Sequence, residues 1–166
     1  VSEKSIGLQV YGAFKCRSIL IQLIEKVKLG FLEGLSPTLI PDGTSGTYKL
    51  RESSRDTVAL FKPIDEEAFA PNNQKGYTGK FGQESFRRGI WSGEGSIREV
   101  VSYLLDRNNF FKVPETTFVE FSHPGFNNNH NELMKIEENS LTKVRNSISH
   151  NFVLENLLPS SESDPL

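Results

Sequence analysis

The chain has 166 residues and a formal net charge of −2. That length fits one domain of ordinary size, and the near-neutral balance, with no basic arm, gives no general attraction to nucleic acid. A single cysteine, Cys16, excludes an internal disulfide framework and suits a reducing compartment, and no apolar run approaches the length that spans a bilayer. There is no signal-peptide pattern, and the start at Val1 rather than Met suggests that the true amino terminus is missing. Residues 1–17 carry little pattern, and Cys16 reads as a buried or idle thiol. Ile19, Leu20, Leu23, Ile24, Val27 and Phe31 then recur at helical spacing. They predict a helix that buries its apolar side on its own domain, with Ser18 as the cap and Gly34 as the stop. Ser36-Pro37 breaks that helix, and Thr38-Leu39-Ile40 reads as a first strand.

Gly43, Thr44, Ser45, Gly46 and Thr47 form a turn of small residues with three hydroxyls. Tyr48 to Leu50 and Thr57 to Phe61 are β-prone runs around the polar turn Glu52 to Asp56, and the second run ends on Lys62. A phosphate tail needs backbone N–H groups that approach closely, which small residues permit, and a long-stemmed ammonium suits its oxygens. Each half alone has a plainer reading, as an ordinary hairpin turn and a solvated strand end. Their pairing, followed by a helix that carries a carboxylate, is what points to phosphate.

Pro63 ends the strand, and Asp65-Glu66-Glu67 reads as a solvated acidic loop. Ala68 to Gly95 is long, Gly-rich and polar, with Asn72 and Asn73 near its start. Lys75, Lys80, Arg87 and Arg88 are interleaved there with Phe81, Phe86, Ile90 and Trp91, a composition that can touch an anionic membrane surface. The plainer reading is a mobile insert pinned to the domain by its aromatics. Ser96 opens a second helix with Ile97, Val100, Val101, Leu104 and Leu105 on one side. Glu99, on the polar side, fits two roles: a capping box that returns to the Ser96 amide, or a partner for Lys62, with Asp106 as a weaker substitute. Lys112 to Phe121 predicts another strand, with Pro114 near its start. His123 stands alone and reads as structural or exposed, and no His/Cys spacing suggests zinc. Residues 127–166 read as a divergent, partly disordered tail that includes an Asn-rich loop and an acidic, small-residue end.

GTSGTY, VALFKPIDEEAFAPNN, GEGSIREVVSYLLD and VPETTFVEFSHPGF occur in that order. Over Ile24 to Phe126 they resemble the amino-terminal lobe of phosphatidylinositol 3-/4-kinase catalytic domains, most closely the type II and plant gamma phosphatidylinositol 4-kinases. The run FKPIDEEAFAPNN is the most specific piece. The resemblance implies an α+β fold: a protein-kinase-like amino-terminal lobe over residues 18–126, with a small, mostly antiparallel sheet and flanking helices, the carboxy-terminal lobe missing. It implies ATP and Mg²⁺ as cofactors and phosphatidylinositol at a membrane surface as partner, for a cytoplasmic protein peripheral on membranes. Gly43 to Thr47 would cover the phosphates and Lys62 would bind them. Glu99 would orient Lys62, and apolar residues near Val58 and Ala59 would roof the adenine.

The family next needs a catalytic loop with an Asp and an Asn, and a second metal-binding Asp. No such loop is found, and Asn151 to Glu155 does not stand in for it. No catalytic and no metal-ligating residue is therefore assigned, and the chain alone is expected to be inactive, since phosphoryl transfer is mostly positioning and charge neutralisation. Three other readings stay open: a protein serine/threonine kinase of the same fold, a truncated, non-catalytic fragment that binds nucleotide or partners, or a plain binding domain that the motifs only resemble.

Overall fold

The computed structural model describes residues 7–10, 16–123 and 151–156. Strand β1 (Gly7–Val10) precedes helix α1 (Ser18–Leu32), β2 (Thr38–Leu39), β3 (Tyr48–Arg51) and β4 (Thr57–Pro63). A 3₁₀ turn (Ile64–Glu66), the insert, helix α2 (Gly95–Leu105), β5 (Thr116–Ser122) and β6 (Asn151–Asn156) follow. The strands form one six-stranded sheet in the order β1-β5-β6-β4-β3-β2, antiparallel at every pairing.

The predicted spacing of α1 is what the core uses. Leu20, Leu23, Ile24, Val27 and Phe31 pack on Tyr48, Leu50, Ala59, Phe61, Val119 and Phe121. Each such burial is worth roughly 1.5–3 kcal/mol, so this face rather than helix propensity holds α1 in place. An aromatic column joins the two layers: Phe31 stacks on Phe121 at 5.0 Å, and Phe121 meets Phe61 edge-on at 4.9 Å. His123 is buried against Phe31, at 4.9 Å between ring centroids, and burial lowers its pKa. It is a core residue rather than an acid–base group.

Two boundaries differ from expectation. Ser18 is the first helical residue and Arg17 the cap position, where the Arg17 carbonyl accepts the first helical N–H bonds and no side chain caps. Gly34 stops α1 as expected, at φ +86°, its amide bonded to the Phe31 carbonyl. Strand β5 starts at Thr116 rather than Lys112, because Pro114 cannot donate to a ladder and Lys112 sits at φ +52°.

The larger difference is β6. Residues 151–156, inside the 127–166 stretch read as a tail, form a strand between β5 and β4. Val153 pairs with Lys62 and Leu154 with Phe61, so this strand flanks the lysine strand on the side opposite β3. The rest of that stretch lies outside the described residues.

Candidate functional site

The turn Gly43 to Thr47 joins β2 to β3, and β4 lies beside β3. Tyr48 pairs with Phe61, so the turn leaves the sheet next to Lys62. Strand alternation puts Ala59 and Phe61 on the α1 side of β4, where both are fully buried, and puts Leu60 and Lys62 on the other. Val58 and Ala59, expected near an adenine roof, are both fully buried in the core, and Leu60, two residues before Lys62, is a half-buried apolar residue on the Lys62 side of the strand. The period of two in β4 carried that information in the sequence.

Lys62 Nζ lies 2.7 Å from Glu99 Oε2 on α2, with both side chains partly exposed. The capping box is not formed, because the Ser96 amide donates to Glu67 Oε1 at 2.9 Å. Asp106 does not substitute for Glu99: its carboxylate accepts the Val113 and Phe111 amides, which hold its pKa below the usual range and fold the loop after α2.

The turn is exposed at Gly43 and Thr44 and anchored at its base. Gly43 has φ +82°, a conformation that favours glycine. Gly46 is needed for a different reason: a Cβ there would fall 2.1 Å from Glu66 Oε2. Its amide donates to the Glu66 carbonyl at 2.8 Å, Ser45 Oγ accepts the Ala68 amide at 3.1 Å, and the Thr44 carbonyl accepts Asn73 Nδ2 at 2.8 Å. Thr47 is half-buried, and its carbonyl accepts the Ile40 amide.

The acidic run is where the sequence reading is overturned. Asp65 and Glu66 are buried and Glu67 half-buried, each with specific partners. Asp65 accepts Asn72 Nδ2 at 2.7 Å, and both Glu66 oxygens lie 2.9 Å from the donating Tyr48 hydroxyl. Glu67 binds the start of α2. Asn73 donates to the carbonyls of Thr44, Glu66 and Glu67 and accepts the amides of Lys75 and Tyr77. The segment FKPIDEEAFAPNN thus ties the turn, β4 and α2 together, a physical reason for its specificity. The signal was the segment itself, not any local rule.

Burial pushes the Glu66 carboxyl up to about 7, with Asp65's charge adding to the rise and the Tyr48 hydrogen bond and the Lys75 charge opposing it. Burial and the adjacent carboxylate raise the Tyr48 phenol well above its ordinary range. A carboxyl whose folded pKa exceeds its unfolded one favours folding while protonated. Its contribution is full below the unfolded value of 4.5 and is lost as pH rises through about 7. Replacing Glu66 with Gln should therefore flatten the stability difference between pH 5 and pH 8 by roughly 1–3 kcal/mol, read from denaturant unfolding of both proteins. Parallel pH profiles of the two proteins would show that Glu66 does not titrate there.

The insert is ordered. Phe69, Tyr77 and Phe86 cluster with centroids 4.8–6.4 Å apart, and Glu84 bridges Trp91. Lys80, Arg87 and Arg88 are exposed alongside Phe81, Phe86 and Trp91. Lys75 is not part of that surface: its ammonium turns inward onto the Ile40 carbonyl. A shallow cleft of about 580 Å³ between the insert and the start of α2 is lined by Ile64, Phe81, Trp91 and Glu94, apart from Lys62. No helix among the described residues is long and apolar enough to cross a membrane. Among the same residues, no group of three or more His, Cys, Asp or Glu side chains could hold a metal ion.

An antiparallel sheet with a glycine turn, a strand lysine and a helix carboxylate on that lysine has the architecture of a kinase-like amino-terminal lobe. The family model for phosphatidylinositol 3- and 4-kinase matches residues 43–161, and the chain belongs to that family. The match starts at the turn and runs past Phe126 through β6. Among plant proteins, the chain is similar to phosphatidylinositol 4-kinase gamma 5 of Arabidopsis thaliana, 36% identical over 76% of this chain and 20% of that protein. It is also similar to phosphatidylinositol 4-kinase gamma 7 of the same plant, 37% identical over the same shares, and to gamma 6, 32% identical over 90% of this chain and 25% of that protein. The chain spans about a fifth to a quarter of the length of these relatives.

Proposed function

We propose that this chain is the ATP-binding lobe of a phosphatidylinositol 4-kinase, which moves the γ-phosphoryl group of ATP onto the inositol ring of phosphatidylinositol. The observation that carries this is Lys62 Nζ held 2.7 Å from Glu99 Oε2 beside the Gly43–Thr47 turn. The residues fit ATP. Lys62 supplies a positive charge to phosphate oxygens, and Glu99 keeps its stem from folding back. The exposed tip at Gly43 and Thr44 covers the phosphates with small residues, while Ser45, Gly46 and Thr47 hold the tip in place. Leu60, on the Lys62 face, offers the apolar wall for adenine. The family also implies a divalent metal, which would neutralise phosphate charge when bound; among the described residues no group of three or more His, Cys, Asp or Glu side chains could hold it.

The surface of Lys80, Arg87 and Arg88 with Phe81, Phe86 and Trp91 supports contact with an anionic bilayer. The aromatics would enter the headgroup boundary and the cations would meet lipid phosphates. The protein would then work in the cytoplasm, peripheral to the membrane that holds its lipid.

The test uses the native protein, γ-labelled ATP with Mg²⁺, and vesicles of phosphatidylinositol in an anionic background. Label is expected in the lipid. The double variant Arg87→Glu, Arg88→Glu should weaken vesicle binding at least about tenfold, at about 1 kcal/mol for each basic residue near the surface. Label in protein alone would favour the protein-kinase reading, and unchanged vesicle binding would remove the insert from the membrane contact.

A further inference from the structure

We propose that Glu67 is a positioning residue for the Lys62–Glu99 pair: its carboxylate fixes the first turn of α2 so that Glu99 reaches Lys62. The inference rests on the reading of Lys62 given above.

Glu67 follows Lys62 by five residues, across the end of β4 and the 3₁₀ turn. Its Oε2 accepts the amides of Gly93 at 2.9 Å and Gly95 at 3.1 Å. Its Oε1 accepts the amide and the hydroxyl of Ser96 at 2.9 and 3.0 Å. The first N–H groups of a helix have no partner inside the helix, and the helix dipole favours a negative charge there. A local residue normally supplies the cap. Here the cap position, Glu94, makes no capping bond with its own side chain, and a carboxylate from 28 residues before Gly95 does the work. The glycines make room for it: a Cβ on Gly95 would stand 3.0 Å from the Glu67 carboxyl, and Gly93 has φ +98°.

Ser96 and Glu99 are three residues apart, one turn on the same side of α2. The path from Lys62 along the backbone to Glu67, across to Ser96, up one helical turn to Glu99 and back to Lys62 is therefore a closed ring. Only two of its links are non-covalent. The Lys62–Glu99 link is partly exposed, a class of ion pair too weak to hold a helix in place. The Glu67 link has four bonds to an anion, and charge-assisted bonds are roughly twice as strong as neutral ones. The strong link sets the geometry and the weak one uses it. Buried Val100 is the other anchor of α2, with Ile97, Val101 and Leu104 about half exposed.

Glu67→Gln keeps the shape but turns a donor toward amides that need an acceptor. Two readouts test it in the native protein, below the melting temperature of each variant. A zero-length carbodiimide cross-link between Lys62 and Glu99, scored by peptide mass, reports the contact without any activity. Phosphoryl transfer reports its use. Losing a cap of this kind shifts an equilibrium about tenfold, so Glu67→Gln should lower both cross-link yield and transfer by about that factor. Glu67→Asp should restore part of each. In a Glu99→Gln background the Glu67 change should cost no further transfer. An unchanged cross-link yield in Glu67→Gln would overturn the proposal, and so would a transfer loss undiminished when Glu99 is already Gln. If Lys62→Met leaves transfer intact while Glu67→Gln still abolishes the cross-link, the ATP-site reading fails and the positioning inference stands.

Discussion

In the full-length protein, Lys62→Met is expected to lower phosphoryl transfer by at least about a hundredfold, the scale seen when one preorganised charge donor is removed from a reacting centre. The same change should move stability by no more than about 1 kcal/mol. Lys62 sits near the end of β4 with a partly exposed side chain, and its partner Glu99 is 38% exposed, so solvent screens the pair. Its worth therefore lies in where it holds the ammonium. Nucleotide affinity, transfer rate and melting temperature measured on one preparation separate these effects. A large fall in melting temperature would make Lys62 a structural residue, and transfer at the parental rate would remove it from the site.

Glu99→Gln should fall between parent and Lys62→Met. It keeps the lysine charge but releases its stem, so part of the phosphate attraction survives while the orientation is lost.

The parts legible in the sequence were those written in local pattern. The apolar period of α1, the small-residue turn, the β-prone run ending in Lys62 and the α2 stripe each announce themselves within about a dozen residues. Chain order then suggested which of them meet. What was not legible depends on partners far away. Three acids in a row look solvated because a local reading counts charges and not neighbours. Asp65, Glu66 and Glu67 find theirs at Asn72, Tyr48 and Ser96, 7 to 29 residues distant. The Ser96–Glu99 spacing suited a capping box and an ion pair equally, and the choice was made by Glu67, which takes the Ser96 amide first. Strand β6 has a β-prone Phe-Val-Leu centre but follows β5 only after 28 residues, so nothing local ties it to the sheet. Its place beside Lys62 is a product of long-range pairing.

Phe61→Ala should destabilise the protein by about 3–5 kcal/mol, the range for removing a buried aromatic from a packed core. Against a typical total of about 5–15 kcal/mol, that is enough to unfold much of the population at physiological temperature. Phe61 is fully buried, meets Phe121 edge-on and faces Tyr48 at 6.3 Å, so truncation leaves a void bounded by two other rings. The sheet around it resists collapse into that void, because β4 is hydrogen-bonded on both sides, by β3 and β6. Phe61 and Lys62 are adjacent in sequence and point to opposite faces of one strand, so the two substitutions dissect the strand's two jobs. One should abolish transfer in a folded protein, and the other should abolish the fold and transfer with it. Urea unfolding, with a midpoint that drops while the slope holds, would register the core effect. A loss of under about 1 kcal/mol would mean that the α1–sheet core does not depend on Phe61, and the layer that positions Lys62 would need another support.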